Sequence, residues 1–188
     1  MNALENWYCS TSFWRWMTRE RLLPFVLGHS DLGDHLLELG SGPGAGTPAL
    51  RNRARRVTSL DYDHAFTVQL TRSNASAPSS VVQADAAALP FADRTFSSAV
   101  AILVLHHLHS TGQQDRAFAE IHRVLKPGGR LFVFEIENGW FHRLIHTNST
   151  FTPLDPATLP ARLTAAGFTN ITRDRRPGGF RLRASRPL

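Results

Sequence analysis

Short apolar runs alternate with helix-like stretches from residue 34 onward, and this alternation predicts an α/β fold. Strands are predicted for the segments HLLELG, RVTSLD, SVVQAD, SAVAILVL and GRLFVFE. Between them lie predicted helices over residues 47–56, 64–74 and 112–125. Strands that alternate with helices are typical of parallel sheets covered on their faces. Two of the runs, 99–105 and 131–134, are apolar throughout, as expected for strands buried on both faces.

Both ends of the chain carry other patterns. Residues 2–27 have the periodicity of one or two amphipathic helices, and we expect residues 1–30 to form a helical cap. Residues 34–135 hold the alternating core, and residues 136–152 have the character of an insertion between this core and the tail. The tail, 153–188, predicts a helix and then a strand–turn–strand. We therefore expect a single domain over residues 1–188.

Composition limits the compartment and the kinds of site that the protein can have. The longest wholly apolar run, Ala99–Leu105, is far shorter than the roughly 20 residues that span a bilayer. The first ten residues lack the charged start and apolar run of a leader. Cys9 is the only cysteine, so an internal disulfide and a multi-cysteine zinc site are excluded. We expect a cytoplasmic protein with no membrane contact and no metal.

A glycine-rich turn ends the first predicted strand. It reads Glu38-Leu39-Gly40-Ser41-Gly42-Pro43-Gly44, and a helix follows it, with Thr47 as the predicted N-cap. Glycines let a ligand approach the backbone without meeting a Cβ. The spacing also satisfies the G-x-G-x-x-G/A pattern of dinucleotide-binding proteins, with Ala45 in the last position. An NAD site therefore stays open on spacing alone.

The next two strands also end in acidic residues. Asp61 closes the second strand, where a carboxylate can accept hydrogen bonds from both hydroxyls of a ribose, and Tyr62 beside it can lie flat on a purine. Asp85 closes the third strand, placed to accept a hydrogen bond from an exocyclic amine. Open parallel sheets bind ligands at this edge. The sequence therefore predicts a nucleoside-like ligand there.

These motifs together resemble the class I S-adenosylmethionine-dependent methyltransferases, in particular a small-molecule branch of the ubiquinone-biosynthesis type. The resemblance rests on the glycine turn, Asp61-Tyr62, Asp85-Ala86, the Leu105–Leu108 stretch LHHL and the Arg123–Gly129 stretch RVLKPGG, in this order. It implies a Rossmann-like, three-layer α/β sandwich. The sheet would be mostly parallel and seven-stranded, with an antiparallel C-terminal hairpin and an N-terminal helical cap.

The resemblance also implies roles for single residues. Gly40, Gly42 and Gly44, with Ser41 and Pro43 between them, would lie under the methionine part of S-adenosylmethionine, and Glu38 would support its ammonium end. Asp61 would bind the ribose, Tyr62 one adenine face, and Asp85 the adenine amino group. The Ala86 N–H would reach a ring nitrogen, and the carbonyl near Ala101 would lie beside the methionine amine. The implied reaction is methyl transfer to a small molecule.

Two rival functions stay open. An NAD-dependent oxidoreductase shares the glycine turn and Asp61 but leaves Asp85 and the Lys126–Gly129 turn unexplained. A non-catalytic module that binds S-adenosylmethionine or S-adenosylhomocysteine is the second rival. It draws support from Ser97, which stands where the family commonly has an acid after the phenylalanine that opens the fourth strand.

Histidines and aromatic residues are the candidates for the acceptor side. His106 and His107 follow the fourth strand, where an imidazole can serve as a base for a hydroxyl acceptor, although a packing role fits them equally. Tyr8, Trp14 and Trp140 are candidates for an apolar acceptor site, with a core role as the alternative.

The net charge of +6 raises the question of a nucleic-acid partner. Residues 1–172 are nearly neutral, whereas 173–188 contain six arginines against Asp174. The excess therefore belongs to the final hairpin, where a solvated face is the simplest interpretation. We expect a small-molecule acceptor as the partner, not a nucleic acid.

Overall fold

A seven-stranded sheet forms the centre of the computed structural model, which describes residues 3–73, 79–139, 149–176 and 178–188. Its strands are β1 (His35–Leu39), β2 (Arg56–Asp61), β3 (Ser79–Gln83), β4 (Phe96–Ile102), β5 (Leu125–Glu135), β6 (Thr169–Arg176) and β7 (Gly179–Ser185). They lie in the order β3-β2-β1-β4-β5-β7-β6. Strands β1 to β5 pair in parallel, and β7 pairs antiparallel with both β5 and β6. The predicted mostly parallel sheet with an antiparallel C-terminal hairpin is confirmed.

Helices connect these strands and precede them. The cap consists of α1 (Ala3–Ser10), α2 (Ser12–Met17), a π-helical turn (Thr18–Leu22) and α3 (Leu23–Leu27). The connecting helices are α4 (Thr47–Arg51), α5 (His64–Ser73), α6 (Thr111–Val124) and α7 (Leu159–Ala165), with a 3₁₀ turn at Leu105–His107. The prediction for α4 was too long, since pairing of β2 with β1 already begins at Arg56.

The prediction of Thr47 as the N-cap of α4 was also wrong. The N-cap position belongs to Gly46, so no side chain caps this helix. The Thr47 hydroxyl donates instead to the Glu38 carboxylate, at 2.7 Å. The N-cap role thus goes to Gly46, and the Thr47 hydroxyl makes a charge-assisted tertiary contact instead.

Side chains at alternate strand positions pack into two hydrophobic cores, one on each face of the sheet. On one face, Leu37 and Leu39 pack with α6 and α7 residues such as Phe118 and Leu163. On the other, Leu36 packs with the α3 side of the cap. Because side chains alternate along a strand, one sheet can serve both helical layers. This produces the three-layer sandwich.

Arginines of the final hairpin bind backbone carbonyls. Arg181 and Arg183 on β7 donate to the carbonyls of Phe25 and Val26 in α3, at 2.5 and 2.9 Å. Arg186 donates to three carbonyls at the end of α6. The last carbonyls of a helix lack partners within the helix, so these arginines satisfy them. We expected most arginines of the hairpin on a solvated face, whereas these three are half-buried and bind backbone carbonyls.

The segment predicted as an insertion is described only at its ends, 136–139 and 149–152. Its second end lies beside the 3₁₀ turn, where the Thr152 N–H donates to the His106 carbonyl at 2.7 Å. In the part of the chain that the structure describes, no helix combines the length and the apolar character needed to cross a bilayer.

Candidate functional site

A cavity of about 800 Å³ opens where the parallel strands end. Its wall includes strand ends, the glycine turn, the cap helices and the 3₁₀ turn. Ligand cavities in proteins commonly measure 300–1,000 Å³, so this one is large enough for a nucleoside cofactor together with a small second molecule. The topology places the opening at the edge where open parallel sheets bind ligands.

Glu38, the acidic residue next to the end of β1, lies buried at the base of the cavity. Its Oε2 accepts hydrogen bonds from the hydroxyls of Thr47 and Ser59, both at 2.7 Å. Burial raises the pKa of Glu38 to about 7, and these two hydrogen bonds oppose the rise. A cation brought to this carboxylate would favour its ionised form.

Asp61 fastens the glycine turn to the end of β2. Its Oδ2 accepts from the Gly42 N–H at 2.7 Å, and its Oδ1 accepts from the Asp63 N–H at 2.9 Å. Burial raises the pKa of Asp61, although these hydrogen bonds oppose it. Each carboxylate oxygen has a second lone pair, so Asp61 can still accept bonds from a ligand.

Asp85 and its neighbour complete the row of strand-end residues. Asp85 Oδ1 accepts from the Ala87 N–H at 2.8 Å, and both Asp85 and Ala86 line the cavity. Ala101 differs, because its side chain packs inside the core while its neighbours Val100 and Ile102 line the cavity. Alternation along β4 sends these side chains to opposite faces.

The three glycines of the turn lack a side chain for two different reasons. All have positive φ values, 62°, 52° and 90° for Gly40, Gly42 and Gly44. A Cβ at Gly40 would come within 2.3 Å of Val104, and one at Gly44 within 2.5 Å of Leu70. A Cβ at Gly42 would meet no described atom within 4 Å, and the residue lines the cavity. Only Gly42 thus keeps space open for a ligand; Gly44 serves packing against α5.

Two buried hydroxyls in the cavity wall have no hydrogen-bond partner among the described residues. They belong to Ser41 in the glycine turn and Thr18 in the π-helical turn. A buried polar group without a partner costs about 1–3 kcal/mol. Thr18 lies beside Gly46 and hence close to Glu38. Both residues line the cavity, so a bound ligand can supply the missing partners, and π-helical turns are frequent at such sites.

The histidines lie on the 3₁₀ turn, and the structure separates their surroundings. Their rings are in contact, with centroids 4.1 Å apart, and both line the cavity. The Nδ1 of His106 lies 2.6 Å from Oε2 of Glu135, the buried last residue of β5. The Nδ1 of His107 faces the Thr150 carbonyl, at 3.3 Å. The described contacts thus pair His106 with a carboxylate and His107 with a backbone carbonyl.

Aromatic residues of the cap form the outer wall. Tyr8 and Trp14 line the cavity and contact each other, with ring centroids 5.3 Å apart. Trp7 and Tyr62 line its mouth and are largely exposed. Trp140, the third aromatic residue predicted for an acceptor site, lies outside the described residues.

Ser97 lies away from the cavity. It stands near the start of β4, where its hydroxyl accepts from the His35 N–H at 3.5 Å, and a Cβ at Gly33 would meet it. The residues that line the cavity belong to the other end of β4. The departure from the family pattern therefore falls at the opposite edge of the sheet.

Sequence reasoning missed three polar residues of the wall or its support: Glu5, Thr18 and Glu135. Glu135 carried the same signal as Glu38, an acid that ends a buried strand. Glu5 is buried in α1, lines the cavity and accepts from the Ser149 hydroxyl at 2.5 Å. No sequence signal pointed to Glu5 or Thr18. Within the described ranges, no three His, Cys, Asp or Glu side chains gather as a metal-binding set.

Known proteins resemble the chain in sequence and in fold. A probable S-adenosylmethionine-dependent methyltransferase of Mycolicibacterium smegmatis is 32% identical over 161 residues, which cover 81% of this chain and 59% of that protein. A demethylmenaquinone methyltransferase of Thermobifida fusca is 35% identical over 109 residues, covering 56% of this chain and 45% of that protein. The chain thus spans about half the length of these relatives.

A crystal structure of a Pyrococcus horikoshii protein shares the fold, with a TM-score of 0.81 and 16% identity over 96% of this chain and 94% of that one. The most direct match is the family model described as a methyltransferase domain, which matches residues 37–133. That range covers more than half of the chain and includes the glycine turn, the three strand-end acids and the 3₁₀ turn. The chain belongs to the methyltransferase-domain family.

Proposed function

We propose that the protein transfers a methyl group from S-adenosylmethionine to a small, apolar acceptor that carries a hydroxyl group. One observation supports this most: three strand-end carboxylates, those of Glu38, Asp61 and Asp85, line one cavity around the glycine turn. S-adenosylmethionine carries a sulfonium and an ammonium, so acidic walls favour it. When bound, it supplies an electrophilic methyl group whose leaving group is a neutral thioether.

The residues of the wall have separate tasks. Glu38 and the hydroxyls of Thr18 and Ser41 would bind the methionine end, Asp61 the ribose, and Asp85 with the Ala86 N–H the adenine. Holding the reactants in line is the main contribution that a protein makes to such a displacement, and orientation of this kind lowers barriers by roughly 7–11 kcal/mol.

The hydrogen bonds of the glycine turn disfavour NAD. A pyrophosphate needs free N–H donors. In residues 41–44, however, the N–H of Ser41 donates to Leu60, that of Gly42 to Asp61 and that of Gly44 to Ser41, while Pro43 has none. The N–H groups of residues 41–44 are thus already engaged, which favours close approach of a ligand to this stretch over binding of an anion by it.

The acceptor class follows from the opposite wall. Tyr8, Trp14 and Leu108 make that wall largely apolar, and His106 and His107 adjoin it. Such a wall suits an aromatic ring with a hydroxyl group. The Thermobifida fusca relative, whose printed name refers to demethylmenaquinone, agrees with an apolar aromatic acceptor. A naphthalenediol is therefore the first probe to assay.

Calorimetric titration with S-adenosylhomocysteine and with NADH tests the cofactor. We expect the former to bind and Asp61→Ala to weaken it about 10- to 100-fold, because charge-assisted hydrogen bonds contribute roughly 1.5–3 kcal/mol. Asp115→Ala is the matched control, since Asp115 is half exposed and pairs with Arg162. Binding of NADH alone would refute the proposal. Binding of S-adenosylhomocysteine without methylation of any aromatic alcohol would instead leave a binding module.

A further inference from the structure

We propose that His106 is the base that takes the proton of the acceptor hydroxyl, and that Glu135 is its positioning residue. This inference rests on the function proposed above and assigns the proton-transfer step within it. Glu135 ends β5, and His106 lies in the 3₁₀ turn that follows β4, so neighbouring strands bring the two together.

The Glu135 carboxylate makes three contacts that fix its orientation. Its Oε1 accepts from the N–H groups of Val104 and Leu105, at 3.0 and 2.7 Å. Its Oε2 lies 2.6 Å from His106 Nδ1. The side chains of both Glu135 and His106 are at most 2% exposed. One buried carboxylate thus holds the backbone of the turn and the imidazole ring together.

These contacts determine which nitrogen of the neutral ring carries the proton. A carboxylate only accepts hydrogen bonds, so the 2.6 Å contact requires Nδ1–H as the donor. In the neutral ring the lone pair is then on Nε2. His106 lines the cavity, and we infer that Nε2 is the nitrogen that takes the proton of a bound acceptor.

Two aromatic rings also pack against His106. The His107 ring and the Phe151 ring contact it, at centroid distances of 4.1 and 5.6 Å. The His107 Nδ1 meets the Thr150 carbonyl at 3.3 Å, which is a longer contact with an uncharged acceptor. A carboxylate also stabilises the imidazolium that forms after proton transfer.

The step balances as follows for transfer to oxygen. The acceptor O–H bond breaks and its proton moves to His106 Nε2. The electron pair left on oxygen forms the new O–C bond with the methyl group, and the pair of the breaking C–S bond stays on sulfur, so the sulfonium becomes a thioether. The imidazolium later releases its proton to water.

Glu135→Gln is the decisive variant because its geometry is predictable. The amide oxygen must face the two backbone N–H groups that Oε1 now accepts, so the amide NH₂ faces His106 Nδ1. That nitrogen must then accept, and the ring proton moves to Nε2. We expect the kcat for a naphthalenediol to fall about 100-fold or more, the range that loss of a general base costs, with an unchanged affinity for S-adenosylhomocysteine.

Nitrogen-15 NMR of the histidine rings, recorded without any acceptor, reports the tautomer directly. We expect Nδ1–H at His106 in the wild type and Nε2–H in Glu135→Gln. Glu137→Gln, two residues further along on a partly exposed side chain that pairs with Arg175, is the matched control and should change neither the tautomer nor kcat.

If Glu135→Gln folds poorly, His106→Asn alone tests the base, and its kcat should fall about 100-fold or more at unchanged affinity for S-adenosylhomocysteine. If both variants fold, the double variant tests their coupling. Because Glu135 acts through His106, adding Glu135→Gln to His106→Asn should lower kcat no further. Nε2–H in the wild type, or a Glu135→Gln enzyme within threefold of the wild-type kcat, would overturn the inference and leave methyl transfer intact. A wild type that binds no S-adenosylhomocysteine would instead refute the proposed function, while NMR would still decide the tautomer.

Discussion

Glu38→Gln tests the electrostatics at the base of the cavity. The side chain is buried and accepts hydrogen bonds from Thr47 and Ser59, and burial raises its pKa to about 7 from an ordinary 4.5. A glutamine has nearly the same shape and keeps an oxygen for the two hydroxyls. The substitution therefore removes the titration and leaves the packing in place.

The direction in which the free energy of unfolding changes with pH follows from how many protons the folded and unfolded chains bind. Between pH 4.5 and 7 the folded chain holds the Glu38 proton while the unfolded chain has released it, so unfolding releases a proton and the free energy of unfolding falls as pH rises. Each pKa unit corresponds to about 1.4 kcal/mol, which gives about 3 kcal/mol over the whole window. Above pH 7 this contribution is constant.

Urea denaturation from pH 4.5 to 8 measures the effect as the difference between wild type and Glu38→Gln, in which other titrations cancel. We expect this difference to fall by about 3 kcal/mol as pH rises, in favour of the variant. Glu120→Gln is the opposite control. The contact with Arg123 lowers the pKa of Glu120, so its contribution is present at neutral pH and is lost as pH falls. A flat difference for Glu38→Gln would refute the argument.

Two further substitutions test the glycine turn and the unpaired hydroxyls. Gly40→Ala should lower the free energy of unfolding by about 2–4 kcal/mol, because its Cβ meets Val104 and its φ is positive; adding Val104→Ala should restore part of the loss, and no restoration would contradict the steric cause. Thr18→Val should raise the melting temperature of the free protein, since it removes a buried unpaired hydroxyl, yet weaken S-adenosylhomocysteine binding. Calorimetry measures both, and an unchanged affinity would remove Thr18 from the site.

The structure explains much of the excess positive charge in the arginine-rich hairpin. The charge excess raised the question of a nucleic-acid partner, yet Arg181, Arg183 and Arg186 bind helix carbonyls, and Arg175 pairs with Glu137. Arginine presents several donors in a rigid fork, which suits it to satisfy several carbonyls at once. Much of the local charge thus holds the cap and α6 against the sheet.

Much of the site could be predicted because it follows from strand order. Glu38, Asp61 and Asp85 each lie at or within two residues of the end of a strand, and parallel strands bring their carboxyl ends to one edge. The sheet itself followed from the alternation of apolar runs with helices. Glu135 obeyed the same rule but was overlooked, since its partner His106 lies 29 residues away and only strand pairing brings the two together.

What the sequence determined by itself is local: the strands and the row of acids, because both depend on neighbours along the chain. The tertiary structure decided which groups meet. Thr47, predicted as a helix cap, donates to Glu38 in the structure. Gly40 and Gly44 lie against Val104 and Leu70, whereas Gly42 faces open space. Burial and distance between remote segments set these outcomes, and no spacing within one segment encodes them.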